Sequence, residues 1–175
     1  MLLTLLAASL FGSLGIWQLG RAGEKRAIFA AYALGTNGTL QEGLGGANAG
    51  EQRYQLLRLQ GHYDPGNQVL LDNMSHAGRS GYQVLTPFIT AGGSVLVNRG
   101  WVPASGDRSR LPDVDVSDQP RLLTGRIDRL PRPALRLPAD TVASTSPWPR
   151  RLLFPTVAEI SAQTGYTLRD FQLLL

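Results

Sequence analysis

The chain has 175 residues, 43% hydrophobic and 17% charged, enough for one compact domain with a core and too little for a second full one. It has no cysteine, which excludes disulfides, thiolate catalysis, iron–sulfur ligation and thiolate metal sites. Its net charge is +4, but the cations are almost all scattered arginines, with Lys25 the single lysine, so nucleic acid is excluded as a partner class.

Residues 1–19 carry no charged side chain. As a helix, residues 2–19 span about 27 Å, close to the thickness of a bilayer's hydrocarbon core. Trp17 and Gln18 fall at the far rim, where an indole keeps its ring in the interface and a glutamine bonds across helices. Arg21, Glu24, Lys25 and Arg26 follow, and the helix formers of residues 22–33 carry the helix on into water. A buried core helix would show a polar stripe between residues 2 and 17, and there is none. A cleaved signal peptide would need a basic leader, and Ala7-Ala8-Ser9 lies too early for a cleavage site. Membrane lipid is therefore the first expected partner of residues 1–35, the spanning helix and its aqueous extension. By local charge alone, Arg21, Lys25 and Arg26 place the domain that follows on the cytoplasmic side.

Residues 36–52 are rich in Gly, Asn and Ala, with no phosphate-cradling spacing, and read as a linker to a β-rich domain over 53–175. Residues 54–63 and 68–72 read as strands joined by the turn Asp64-Pro65-Gly66-Asn67, an expected hairpin. A second antiparallel pair is expected at 81–90 and 94–102, around Ala91-Gly92-Gly93. A strand follows at 121–130. The proline-rich run 131–149 then excludes helix and central strand and reads as an extended surface excursion. Residues 155–164 suit a short helix, with Pro155 early in it and Gly165 as its stop, and 166–175 return to strand. The fold class is α+β, mainly antiparallel β in a small sheet or partly closed barrel, with an N-terminal transmembrane helix and one short C-terminal helix.

Catalytic and metal-binding groupings fail on physical requirements. Asp72, Ser75 and His76 lie within one short stretch, whereas a triad converges from separate parts of a fold. Gly78-Arg79-Ser80-Gly81 lacks the second glycine of a nucleophile elbow. His62 and His76 are the only histidines and have no visible carboxylate group to complete a metal site. Asn37-Gly38-Thr39 and Asn73-Met74-Ser75 match a glycosylation sequon, a frequent chance event. No catalytic residue and no metal ligand is expected.

Five blocks stand in order along the chain: Leu14-Gly15-Ile16-Trp17-Gln18-Leu19 with Arg21 and Lys25; Leu59-Gln60-Gly61-His62-Tyr63-Asp64; Leu70-Leu71-Asp72-Asn73; Gly81-Tyr82-Gln83-Val84-Leu85-Thr86-Pro87-Phe88; and Val95-Leu96-Val97-Asn98-Arg99-Gly100-Trp101-Val102-Pro103. Together they resemble the Surfeit locus protein 1 family. The resemblance implies a membrane-anchored assembly factor for haem–copper cytochrome c oxidase, a chaperone of respiratory-chain biogenesis rather than an enzyme. It places the factor in the bacterial inner membrane with its domain on the periplasmic side. The implied partners are an oxidase subunit or other assembly factors. Haem a is a possible cofactor by resemblance only, since bacterial members link it to a histidine in a second transmembrane helix that residues 1–175 do not contain. The blocks supply the candidates for family motif or partner contact: Trp17, Gln18, Arg21, Lys25, Gly61, Tyr63, Asp72, Asn73, Gly81, Tyr82, Pro87, Asn98, Arg99, Gly100 and Trp101. By residue chemistry, Arg99 offers a pair for a carboxylate, Gly100 a relaxed backbone, and Trp101 a large surface for packing or contact. The alternative is a membrane-tethered cell-envelope hydrolase, which requires a convergent acid–base pair.

Overall fold

A computed structural model describes residues 1–48, 50, 52–133 and 148–175. The first element, α1 (Leu2–Asn37), is a single uninterrupted helix. Its residues 2–35 are long and apolar enough to cross a membrane, and the most apolar stretch within them buries nothing against the rest of the described chain. Ser9 and Ser13 return their hydroxyls to the carbonyls of Leu5 and Ser9, each at 2.9 Å, so these polar groups are satisfied within the helix. Only the last turns touch the domain. The Tyr32 and Tyr54 rings lie 5.6 Å apart, the Arg126 guanidinium sits 4.5 Å over the Tyr32 ring, and Gly35 rests on the Tyr54 backbone.

The strands are β1 (Gln41–Glu42), β2 (Leu56–Tyr63), β3 (Val69–His76), β4 (Arg79–Thr90), β5 (Gly93–Pro103), β6 (Arg121–Asp128), β7 (Arg150–Leu152) and β8 (Leu168–Leu174). They form one sheet in the order β1-β2-β6-β8-β5-β4-β3-β7, and a further β2–β4 pairing closes five of them into a barrel. Closure turns on Gly61, which pairs with Arg121 of β6 on one edge and Thr90 of β4 on the other. A Cβ there would overlap the Ile89 carbonyl, so only glycine lets the two strands close on β2.

Alternation along the strands divides the core into layers. Val95 and Val97 of β5 face the barrel interior with Leu57, Leu59, Phe88, Ile127, Phe171 and Leu173. Leu96, between them, faces outward into a second layer with Val69, Leu71 and Leu85. That outer layer is covered by α2 (Val157–Thr164) through Val157 and Ile160. Thr156 caps α2 in a reciprocal capping box with Glu159, and Gly165 ends it in a left-handed conformation.

Several local expectations need correction. β2 and β3 do not form a hairpin. One edge of β2 is occupied by β6 and the other by β1 and β4, which leaves β3 no ladder to join. The chain instead passes through a short 3-10 turn (Pro65–Asn67), capped by the Asp64 carboxylate, and β3 pairs with β4 and β7. The sheet is mainly antiparallel, as expected, with β1–β2, β3–β7 and β5–β8 running parallel. The 36–52 segment is more than a linker: it carries β1, and Leu44 and Ala47 are buried in the barrel core. Pro155 precedes the helix cap instead of lying inside the helix. The strand β7 had no sequence signal, and most of the expected proline-rich excursion, residues 134–147, lies outside the described residues.

Candidate functional site

The block residues on β4 and β5 gather around two buried polar groupings, one on each face of β5. Asn98 faces outward. Its Nδ2 donates to Gln83 Oε1 and to Gln172 Oε1, both at 3.0 Å, and its Oδ1 accepts from the Gly100 amide at 3.0 Å. Gln172 in turn donates to the Arg129 carbonyl at 2.9 Å. Asn98 and Gln172 are almost fully buried, so the row of amides joins β4, β5 and β8 with its groups mutually satisfied. Gly100 has φ +106°, a conformation in which its amide reaches back to Asn98.

Arg99 faces the other way, into the mouth of the barrel. Its Nη1 donates to Gln68 Oε1 and to the Val114 carbonyl, both at 2.7 Å, and more distantly to Thr86 Oγ1 at 3.4 Å. Its Nη2 donates to the Asp115 carbonyl at 3.0 Å. Arg99 therefore ties the 104–120 segment across the barrel end. The Tyr63 ring closes the mouth from β2, packed edge-on to Phe88 at 5.2 Å, with Arg99 5.7 Å and Arg121 5.2 Å from its centroid. Burial raises the Tyr63 pKa, an effect the two arginines partly offset. Burial likewise lowers the Arg99 pKa, with the Tyr63 phenol acting in the opposite direction.

Asp72 organises a third grouping beside the barrel. Arg108 pairs with it through Nη2 and Arg151 through Nε at 3.5 Å, while the carboxylate also accepts from the Asn73 amide at 2.6 Å. Asn73 has φ +60° at the bulge of β3, a conformation that asparagine tolerates better than most residues. The Asp72 hydrogen bond raises the pKa of Arg108. The Trp101 indole donates to the Met74 carbonyl at 2.8 Å and lies against Gly81, where any Cβ would strike the ring. Tyr82 is fully buried beside Leu70, Val84 and Val114. Pro87 sits in β4 opposite Leu96, and its carbonyl accepts from the Asp64 amide at 2.9 Å.

The N-terminal candidates stand apart from all of this. Trp17 is exposed on α1, and among the described residues Arg21 pairs only with Glu24, at 2.8 Å. Gln18 and Lys25 are exposed on the same helix. The histidines do not converge: His62 pairs with Ile89 and His76 with Arg79, ten residues apart on β4, or about 30 Å along the strand. His76 instead stacks on Trp101 at 5.4 Å, and Asp72 is taken by its two arginines, so these side chains do not assemble a triad. Among the described residues no group of three or more His, Cys, Asp or Glu side chains gathers for a metal.

Sequence reasoning missed Gln68, Gln83, Thr86 and Gln172, which satisfy Arg99 and Asn98, and Arg151, which pairs with Asp72. The available signal was a polar residue at a strand position flanked on both sides by apolar ones, as Thr86 between Leu85 and Pro87 and Gln172 between Phe171 and Leu173.

No curated protein matches the chain. The model of the SURF1 family matches residues 5–174, nearly the whole chain, and that family is known for cytochrome oxidase assembly. With the block residues building one barrel and the long apolar helix before it, the chain belongs to the SURF1 family.

Proposed function

We propose that the protein is a membrane-anchored, non-enzymatic assembly factor that helps mature the catalytic subunit of a haem–copper cytochrome c oxidase, with haem a insertion as the step it assists. The observation that carries this reading is the family match over residues 5–174. α1 is long and apolar enough to serve as the anchor. Among the described residues the barrel offers packed, mutually bonded polar groups rather than a convergent acid–base pair, which favours binding over turnover. On this reading, which the family match supports, the barrel works on the periplasmic side of the inner membrane, with an oxidase subunit or other assembly factors as its partners. Deleting the gene should lower haem a-containing oxidase activity and its absorbance while leaving the other respiratory complexes intact, and the intact gene should restore both. A normal oxidase spectrum in a clean deletion would sink the proposal.

A further inference from the structure

The barrel mouth at the end of β2 holds two arginines without an acid to match them. Among the described residues, neither Arg99 nor Arg121 lies within ion-pair distance of a carboxylate. The Asp115 carboxylate acts on Arg99 only at longer range, although its backbone carbonyl is bonded to the guanidinium. Arg121 spends Nε on the Gln119 carbonyl at 3.4 Å and Nη2 on the Ser117 carbonyl at 3.2 Å, which leaves Nη1 unused. Arg99 keeps its Nε hydrogen, and the Tyr63 hydroxyl has no protein partner among the described residues. Donors from β2, β5 and β6 thus converge on the Tyr63 ring while every acceptor already bonded there is neutral.

We propose that Arg99, Arg121 and Tyr63 form a binding site for a phosphate-type oxyanion at the barrel mouth. Two guanidiniums that repel each other across a half-buried site are stabilised by a shared anion, and charge-assisted hydrogen bonds are the stronger kind. A tetrahedral oxyanion fits better than a planar carboxylate. The Nη1 hydrogens of Arg99 already serve Gln68 and Val114, so a two-pronged fork on one arginine is not open, whereas a phosphate presents oxygens in several directions at once. The source is a free oxyanion rather than a headgroup of the anchoring bilayer. α1 meets the domain beside the start of β2, whereas Tyr63 ends that strand about 23 Å further on.

The site stands apart from the assembly role, because its test requires no oxidase. The full chain in neutral detergent is titrated with inorganic phosphate against chloride at matched ionic strength, followed by thermal unfolding and by phosphorus NMR linewidth. Phosphate should raise the melting temperature saturably where chloride does not. Arg121→Gln should weaken the apparent affinity about tenfold, the loss expected for one charge-assisted hydrogen bond. Arg121→Lys should retain part of it, and Tyr63→Phe should weaken it while leaving the cations in place. Arg110→Gln, at a side chain 85% exposed, should bind as the unchanged protein does. Equal stabilisation by chloride, or an undiminished phosphate response in Arg121→Gln, would overturn the site. A response to phosphatidylglycerol vesicles with none to inorganic phosphate would overturn it too.

Discussion

Asn98 and Arg99 are neighbours in sequence and opposites in role, because successive side chains of a strand point to opposite faces. One bonds an amide row on the outside of the barrel and the other ties a loop across its mouth. The block that contains them was legible in the sequence, but their partners were not, since Gln172 lies 74 residues from Asn98 and nothing local relates them. Tyr166 gives a pH test at the same scale. Its hydroxyl donates to Asp64 at 2.8 Å, and that bond, followed by burial, raises its pKa above the ordinary 10.0. Neutral Tyr166 is thus favoured in the folded state, so its contribution is complete below pH 10 and is lost as the pH rises through the elevated value. Urea unfolding between pH 8 and 11 should show stability falling at the alkaline end, with a shallower fall in Tyr166→Phe. Identical slopes in the two proteins would count against the Asp64 bond.

At the scale of elements, sequence served best where a segment is decided by its own residues. The span of α1 was visible in the absence of charge over residues 1–19, and the β4–β5 pair in its turn and β-favouring residues. α2 was visible in its spacing, and its start is set by the Thr156–Glu159 box rather than by Pro155. Thr156→Ala removes the acceptor for the Glu159 amide, bonded at 3.2 Å, and should cost about 1 kcal/mol. A shift in the urea midpoint at unchanged slope is the measurement, and no shift would mean that solvent replaces the cap without penalty. β7 escaped because its three residues are held by pairing with β3, and no periodicity can show in so short a segment.

At the scale of the whole molecule, the barrel depends on one close approach. A methyl group at Gly61 would meet the Ile89 carbonyl, so Gly61→Ala should force β2 and β4 apart and cost about 3 kcal/mol. Urea unfolding of the detergent-solubilised chain checks the cost, and faster amide exchange at Tyr63 and Ile89 would locate it at the seam. A variant as stable as the parent would show that the strands close by another route. By itself the sequence determined the long apolar helix, the strand-forming segments, the cap-bearing helix and the family, because each is encoded by nearby residues through hydrophobic run, alternation or turn chemistry. Only the tertiary structure decided that β2 shares its edges with β6, β1 and β4, that β5 and β8 run parallel, and that Arg99, Arg121 and Tyr63 meet at one mouth. A strand has two edges and many suitable neighbours, and which of them occupy those edges is settled by packing the entire core at once.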